Sequence, residues 1–338
     1  MVQSTKAKIL GILRNEAGNP VSGGRLAREL GISRVAVWKG VQSLVNAGYL
    51  IDAADSGYSL DPGKTNDFLY PWEFGENEPL FRHYKTTGST MDRVRELAVQ
   101  GQASGTVVVA EKQNAGRGRC NRNWASRQGG LYFSALYRPT SATAVALADY
   151  CLPVMLYQIA VARVLSLMCG KPSRLRWPND IYIGKRKIAG LLSEVAGEGD
   201  SISWLAIGVG VNVNNPVPSD KAVNCAEITG NMFSRREILL SILNEVERMK
   251  KQTSSGMAYA QGNRLLAAEW NSLADCIGAK AAVMDSGKDG IEGEAKSRLL
   301  ARGIFSGVDP AGRCIIKSED GKDALYFNPG PASVVFID

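Results

Sequence analysis

From Ile9 to Leu60 the apolar residues run at helical spacing and then in two short strand-like pieces, and this order constrains the fold more than any other feature. Ile9, Leu10 and Leu13 share one helical face. Gly23 to Leu30 fits a second helix, Gly31 a turn, and Ser33 a cap for a third helix beginning at Arg34. In that helix Val37, Val41, Leu44 and Val45 form an inward stripe, leaving Arg34, Ala36, Lys39 and Gln42 to face out. Gly48 closes it, and Tyr49 to Ile51, a polar turn and Tyr58 to Leu60 read as a two-stranded wing. The sum is a winged helix-turn-helix, with Ser33, Arg34 and Lys39 set against DNA phosphates or base edges. A helical domain that binds protein or only packs is the alternative. The Pro- and Gly-bearing stretch 61–67 is the natural boundary, giving a first domain over residues 1–65.

The 338 residues are enough for two or three domains with real cores. With 40 basic and 33 acidic side chains the net charge is +7, but the excess is local. Residues 1–65 hold eight basic against five acidic groups, residues 111–128 five against one, and residues 171–187 six against one. A chain with one histidine, His83, cannot build a His-pair metal site, so its chemistry rests on Lys, Arg, Asp, Glu, Asn or backbone groups. The six cysteines are scattered without a C-x-x-C pair, which points to reduced thiols in the cytoplasm. The N-terminus lacks a signal-type apolar run, and the most apolar stretch, 150–162, is too short to span a bilayer, so neither export nor a membrane is expected.

The second basic cluster, Gln113 to Trp124, follows an apolar strand at Thr106 to Ala110. Its glycines let backbone approach a ligand, and Arg117, Arg119 and Arg122 offer forked donors for carboxylate or phosphate. The spacing is neither a Walker A loop nor a Rossmann fingerprint. A loop this cationic is expected to order when an anionic ligand arrives; Trp124 is either core or stacks on a base. The third cluster reads as a hairpin: Ile181 to Ile183, a turn at Gly184-Lys185, and a return strand from Lys187 to Leu192. Lys187, with Gly190 leaving space beside it, is a candidate clamp on a developing oxyanion or a solvated charge. Leu205 to Asn214 is an alternating strand whose Asn residues can reach a ligand.

Five motifs in order, GST at 88–90, GRGR at 116–119, RWPND at 176–180, KIAG at 187–190 and GVGVNVN at 208–214, resemble those of the biotin protein ligases. With the winged helix in front, the chain resembles the bifunctional ligases that also repress the biotin operon. The resemblance implies condensation of biotin and ATP to biotinyl-5′-AMP, then transfer to a lysine of a biotin carboxyl carrier protein. It places biotin at Ser89, Thr90, Met91, Gln113, Gly116, Arg117, Gly118, Arg119, Lys187, Gly190 and Gly208. It places ATP at Arg119, Arg122, Trp124, Asn179 and Asn212, and catalysis at Lys187 and Arg119. Mg²⁺ would accompany ATP, with no ligand set assigned. Operator DNA and a homodimer formed on loading with biotinyl-5′-AMP are the further implied partners. A DNA-binding biotin sensor without ligation, or a lipoate or octanoate ligase on a related scaffold, are the alternatives.

The implied architecture is α+β and multidomain: the winged helix-turn-helix, a central mixed α/β domain of class II synthetase type over residues 66–270, and an SH3-like β-barrel over residues 271–338. The tail's short apolar runs, Ala281 to Met284, Gly303 to Phe305, Cys314 to Ile316 and Ser333 to Phe336, agree with a small barrel. One departure from the family pattern is Asn121, where a Gly is usual; Asn tolerates positive φ. His83 is expected to pack or to lie on the surface.

Overall fold

Three serine-capped helices open the structure, a computed structural model that describes residues 3–61, 67–139, 150–199, 201–254, 259–285, 298–329 and 332–337. They are α1 (Thr5–Asn15), α2 (Gly23–Leu30) and α3 (Arg34–Asn46). Ser4, Ser22 and Ser33 each accept a hydrogen bond from the backbone three residues on, satisfying a donor that the first helical turn would otherwise leave open. Gly31 ends α2 at φ 64°, a conformation glycine takes without a Cβ clash. Ile9, Leu10, Leu13, Leu26, Val37, Val41, Leu44 and Tyr49 are buried together as the core of this unit. Val45, expected inside, is 38% exposed: it falls in the last turn of α3, where the stripe has run past the packed body. Ala36 and Gln42, expected outside, are half-buried. The wing is an antiparallel pair, β1 (Ile51–Ala54) with β2 (Gly57–Leu60).

Contacts divide the chain into residues 1–83 and 84–338. Of the proposed boundary stretch, residues 62–66 lie outside those described. Residues 71–80, a kinked 3-10 segment, pack within the first unit. Glu73, 2% exposed, accepts from the Tyr49 hydroxyl and pairs with Arg14 at 2.9 Å, and Trp72 Nε1 donates to Tyr49 Oη at 2.9 Å. His83 packs its ring against Tyr70.

β3 (Phe81–Tyr84) carries the chain into α4 (Thr90–Val99), β4 (Val107–Ala110), β5 (Leu131–Tyr137), α5 (Cys151–Cys169), β6 (Ser173–Arg176), β7 (Asp180–Ile183), β8 (Arg186–Glu198) and β9 (Ser201–Val211). The seven strands form one sheet in the order β3-β4-β5-β9-β8-β7-β6. From β4 to β6 every pairing is antiparallel, while Thr87 bridges Gln113 in parallel. The expected hairpin is β7 with β8, Asp180 opposite Gly190, and β8 runs on for eight residues beyond Gly190. After β9 come α6 (Cys225–Thr229), α7 (Arg235–Ser254) and α8 (Tyr259–Leu273). α5 is 19 residues long and apolar enough to cross a membrane by composition, yet most of it is buried inside the protein, where α7, α8 and β6 pack against it.

The tail forms β10 (Lys280–Asp285), β11 (Arg298–Val308), β12 (Cys314–Lys317), β13 (Ala324–Phe327) and β14 (Ala332–Phe336). Four contain the expected runs; β13 was not anticipated, because Ala324 to Phe327 shows no alternation and its first three residues are exposed. The strands pair antiparallel in the order β13-β12-β11-β10-β14. No pairing joins β13 to β14 among the described residues, so the sheet is open where a closed barrel was expected.

Candidate functional site

One cavity of about 230 Å³ gathers most of the residues singled out in the sequence. Its first wall is the start of α4. Ser89 caps that helix, its Oγ accepting from Met91 N at 3.3 Å, and Ser89, Thr90 and Met91 are all buried. Gln113, leaving β4, brackets the same turn: its Oε1 accepts from Thr90 N at 2.8 Å and Thr90 Oγ1 at 3.2 Å, while its Nε2 donates to Ser126 at 2.7 Å. Ser134 on β5 donates to Thr90 Oγ1 at 2.8 Å. The amide and two hydroxyls therefore form a fixed polar end to the cavity.

The basic loop folds back on itself. Gln113 N donates to Ser126 O at 3.2 Å, Trp124 N to Gly116 O at 2.8 Å and Gly118 N to Arg122 O at 2.7 Å, closing a hairpin with a 3-10 turn at its tip. The left-handed residue of the tip is Cys120, φ 53°, one place ahead of Asn121. Gly116 lies outside the cavity lining, and its lack of a Cβ admits Trp124 O, which would sit 2.5 Å from one. The hairpin lays the Trp124 indole on a floor made by the paired Gly190 and Gly210; a Cβ on Gly210 would fall 2.5 Å from Trp124 Nε1. That Nε1 is buried and has no hydrogen-bond partner. Gly208 lines the cavity beside Met91.

The cations meet partners that the sequence did not suggest. Arg117 forks onto Asp92 at 2.7 and 3.1 Å and reaches Glu194 at 3.4 Å, and the Asp92 hydrogen bonds raise its pKa further. Arg119 donates to the carbonyls of Pro329 and Ala332, both at 2.7 Å, and burial lowers its pKa. Lys187 Nζ pairs with Asp180 at 2.6 Å and lies 5.1 Å from the Trp124 ring centre. Arg122 is exposed and lines the cavity, as do Gly118 and Asn179, whose Nδ2 donates to Leu191 O at 2.6 Å. Asn212 is buried and holds Asn215 at 3.1 Å; it is not in the lining. Asp92, Asp180 and Glu194 are the residues missed. Asp92 and Glu194 face the second cluster from other elements, while Asp180 stands inside the RWPND motif and meets Lys187 across the β7–β8 hairpin. Ser333 and Val334 of β14 also line the cavity. No group of three or more His, Cys, Asp or Glu that could hold a metal ion occurs among the described residues.

In the first unit Ser33, Arg34 and Lys39 are all exposed on α3. Arg34 lies over the start of α2, where a Cβ on Gly24 would sit 2.9 Å from its guanidinium.

The biotin/lipoate A/B protein ligase family matches residues 84–212, and a helix-turn-helix domain family matches residues 5–59. The chain is 34% identical to the bifunctional ligase/repressor BirA of Bacillus subtilis, over 72% of this chain and 77% of that protein. It is 29% identical to BirA of Bacillus spizizenii over 96% and 98% of the two. Among solved structures it is similar to the biotin protein ligase of Aquifex aeolicus in complex with biotin and ATP. The TM-score is 0.59 at 27% identity, covering 76% of this chain and 99% of that one.

Proposed function

The chain belongs to the bifunctional ligase/repressor family of biotin protein ligases, and from that premise we propose that it makes biotinyl-5′-AMP, passes biotin to a carrier lysine and represses transcription. The observation that carries the reading is the convergence of Arg117, Arg119, Arg122 and Lys187 on one cavity with a polar end and a glycine floor. Biotin's ring system fits the end built by Ser89, Thr90 and Gln113, with the chain running over Gly190 and Gly208 toward the cations. Trp124 bounds the nucleotide side.

Adenylation joins two anions. A biotin carboxylate oxygen bonds to the α-phosphorus of ATP while the bond to pyrophosphate breaks, and the electron pair leaves on pyrophosphate. The carboxylate is already ionised, so no general base acts. The role falls to cations placed around the charge shared by carboxylate and phosphoryl oxygens. Lys187 serves there by exchanging Asp180 for ligand, Arg117 by exchanging Asp92, and Arg122 directly. Asn179 orients the nucleotide from the cavity wall, and buried Asn212 supports the loop that follows β9. In the second step the carrier lysine nitrogen bonds to the acyl carbon, the acyl C–O bond breaks, AMP departs and the amine proton passes to solvent. The described residues build no cation cage, so Mg²⁺ would travel on the phosphates of ATP.

The open C-terminal sheet is read as the SH3-like module of this architecture, tied to the basic loop through Arg119. Operator binding falls to α3, through Ser33, Arg34 and Lys39. The loaded protein dimerises, and the support is β8: from Ser193 onward it has β9 on one side and no strand on the other among the described residues. Six free cysteines suit a cytoplasmic setting.

The test is incubation with biotin, Mg-ATP and a biotin carboxyl carrier domain. The acceptor lysine should gain one biotinyl group. Adenylate formed without transfer would turn the reading to a sensor, and competition by lipoate or octanoate but not biotin would turn it to the sister activity.

A further inference from the structure

The outward face of α3 carries a feature that its charges do not explain. Val35 is 62% exposed and Trp38 53% exposed, although Val37, Val41 and Leu44 of the same helix are buried. They stand three residues apart on one stripe, flanked by the exposed Arg34 and Lys39. An exposed valine on its own is ordinary, but a valine and a tryptophan at helical spacing between two cations form an apolar strip inside a phosphate-attracting surface.

We propose that Val35 and Trp38 are the specificity-determining residues of α3, reading thymines through apolar contact with their 5-methyl groups while Arg34 and Lys39 hold the phosphates. This rests on the operator-binding reading above and adds to it which side chains discriminate sequence. In a helix-turn-helix the early residues of the recognition helix face base edges in the major groove. Among the base edges there, the thymine methyl is the apolar group. Val35 in the first turn and Trp38 in the next meet that position. Charge complementarity selects the occupant, since the strip is bracketed by the exposed cations Arg34 and Lys39. The cations give affinity without sequence information; the strip supplies the discrimination.

The experiment uses the full-length protein with biotin and Mg-ATP. Duplexes enriched from a random pool are remade with deoxyuridine at single thymines, and Kd is read by fluorescence anisotropy. Losing a buried methyl should weaken wild-type binding about fourfold at one or two thymines per half-site. In Val35→Ala or Trp38→Ala the same replacement should cost almost nothing, with the salt dependence of binding unchanged. Both positions are exposed, so the variants fold, and a thermal melt checks this. Indifference of the wild type to uridine at every thymine overturns the proposal, as does a uridine effect that persists in both variants. So does a change of oligomeric state in the variants with no change in DNA affinity. Failure to enrich any duplex, or binding insensitive to salt, rejects operator binding itself and is thereby distinguished from failure of the methyl contact.

Discussion

Gly210→Ala is the sharpest probe of the cavity, because the added atom has a known neighbour. A Cβ there would lie 2.5 Å from Trp124 Nε1 and 2.6 Å from Cε2. Ordinary contact between such atoms is about 3.5 Å, so the indole must move by about 1 Å. Trp124 is only half-buried and can slide outward, which puts the stability cost at the low end of overpacking, ~1 kcal/mol. Its site function should suffer more: a ~1 Å misplacement at a reacting centre costs on the order of 100-fold in rate. The expected outcome is a melting temperature within a few degrees of wild type and pyrophosphate release, measured with biotin and ATP in the absence of carrier, down about 100-fold. Gly11→Ala, where a Cβ meets open space, is the control. A Gly210→Ala protein that releases pyrophosphate within threefold of wild type would refute the placement of Trp124 as a wall of the nucleotide site.

Glu73→Ala should lower stability by ~1–3 kcal/mol, because it strands the buried Tyr49 hydroxyl and removes the partner of Arg14, and Glu73→Gln should recover part of that loss. Urea unfolding of the full chain checks it, and an unmoved midpoint for Glu73→Ala would contradict the packing of residues 71–80. Glu245, held by hydrogen bonds from Arg248 and then Arg163, is depressed from 4.5 to about 2. A depressed acid stabilises the fold above its unfolded pKa and loses that contribution as pH falls through the folded value. Wild type should thus weaken between pH about 4.5 and 2 more steeply than Glu245→Gln, and parallel acid-unfolding curves would count against it. Iodoacetamide should label Cys120 before any other thiol, since it is exposed and lines the cavity, while burial pushes Cys314 up to about 12 and protects it until unfolding. Biotin with Mg-ATP should slow Cys120 labelling; equal rates by peptide mass spectrometry would place Cys120 outside the ligand's reach.

What could be read from sequence was what is written locally. Ser33 and Gly31 mark α3 and the turn before it because a cap and a left-handed residue are chemical requirements of adjacent backbone. The hairpin at Gly184-Lys185 was legible for the same reason. Val45 was not, since whether the last turn of a helix is covered depends on the length of the body beneath it. Nothing near Tyr49 announces an acid 24 residues on, and nothing near Arg119 announces carbonyls 210 and 213 residues away. The membership of the cavity was visible as motifs; the partners of its charges were not, because acids on other elements supply them.

Those partners change what the basic clusters mean. Counted along the chain, the residues around Arg117 and Lys187 look like uncompensated charge waiting for an anion. In the folded chain Arg117 is neutralised by Asp92 and Glu194, and Lys187 by Asp180. A carboxylate or phosphate entering the cavity must displace one anion for another, so the net gain is a difference between two ion pairs and not the full Coulomb attraction of either. Such exchange favours the ligand that offers the most charge at the most donors. The acids beside the cations therefore hold Arg117 and Lys187 in pairs already made, and any entering anion has to compete with Asp92, Glu194 and Asp180 for those donors.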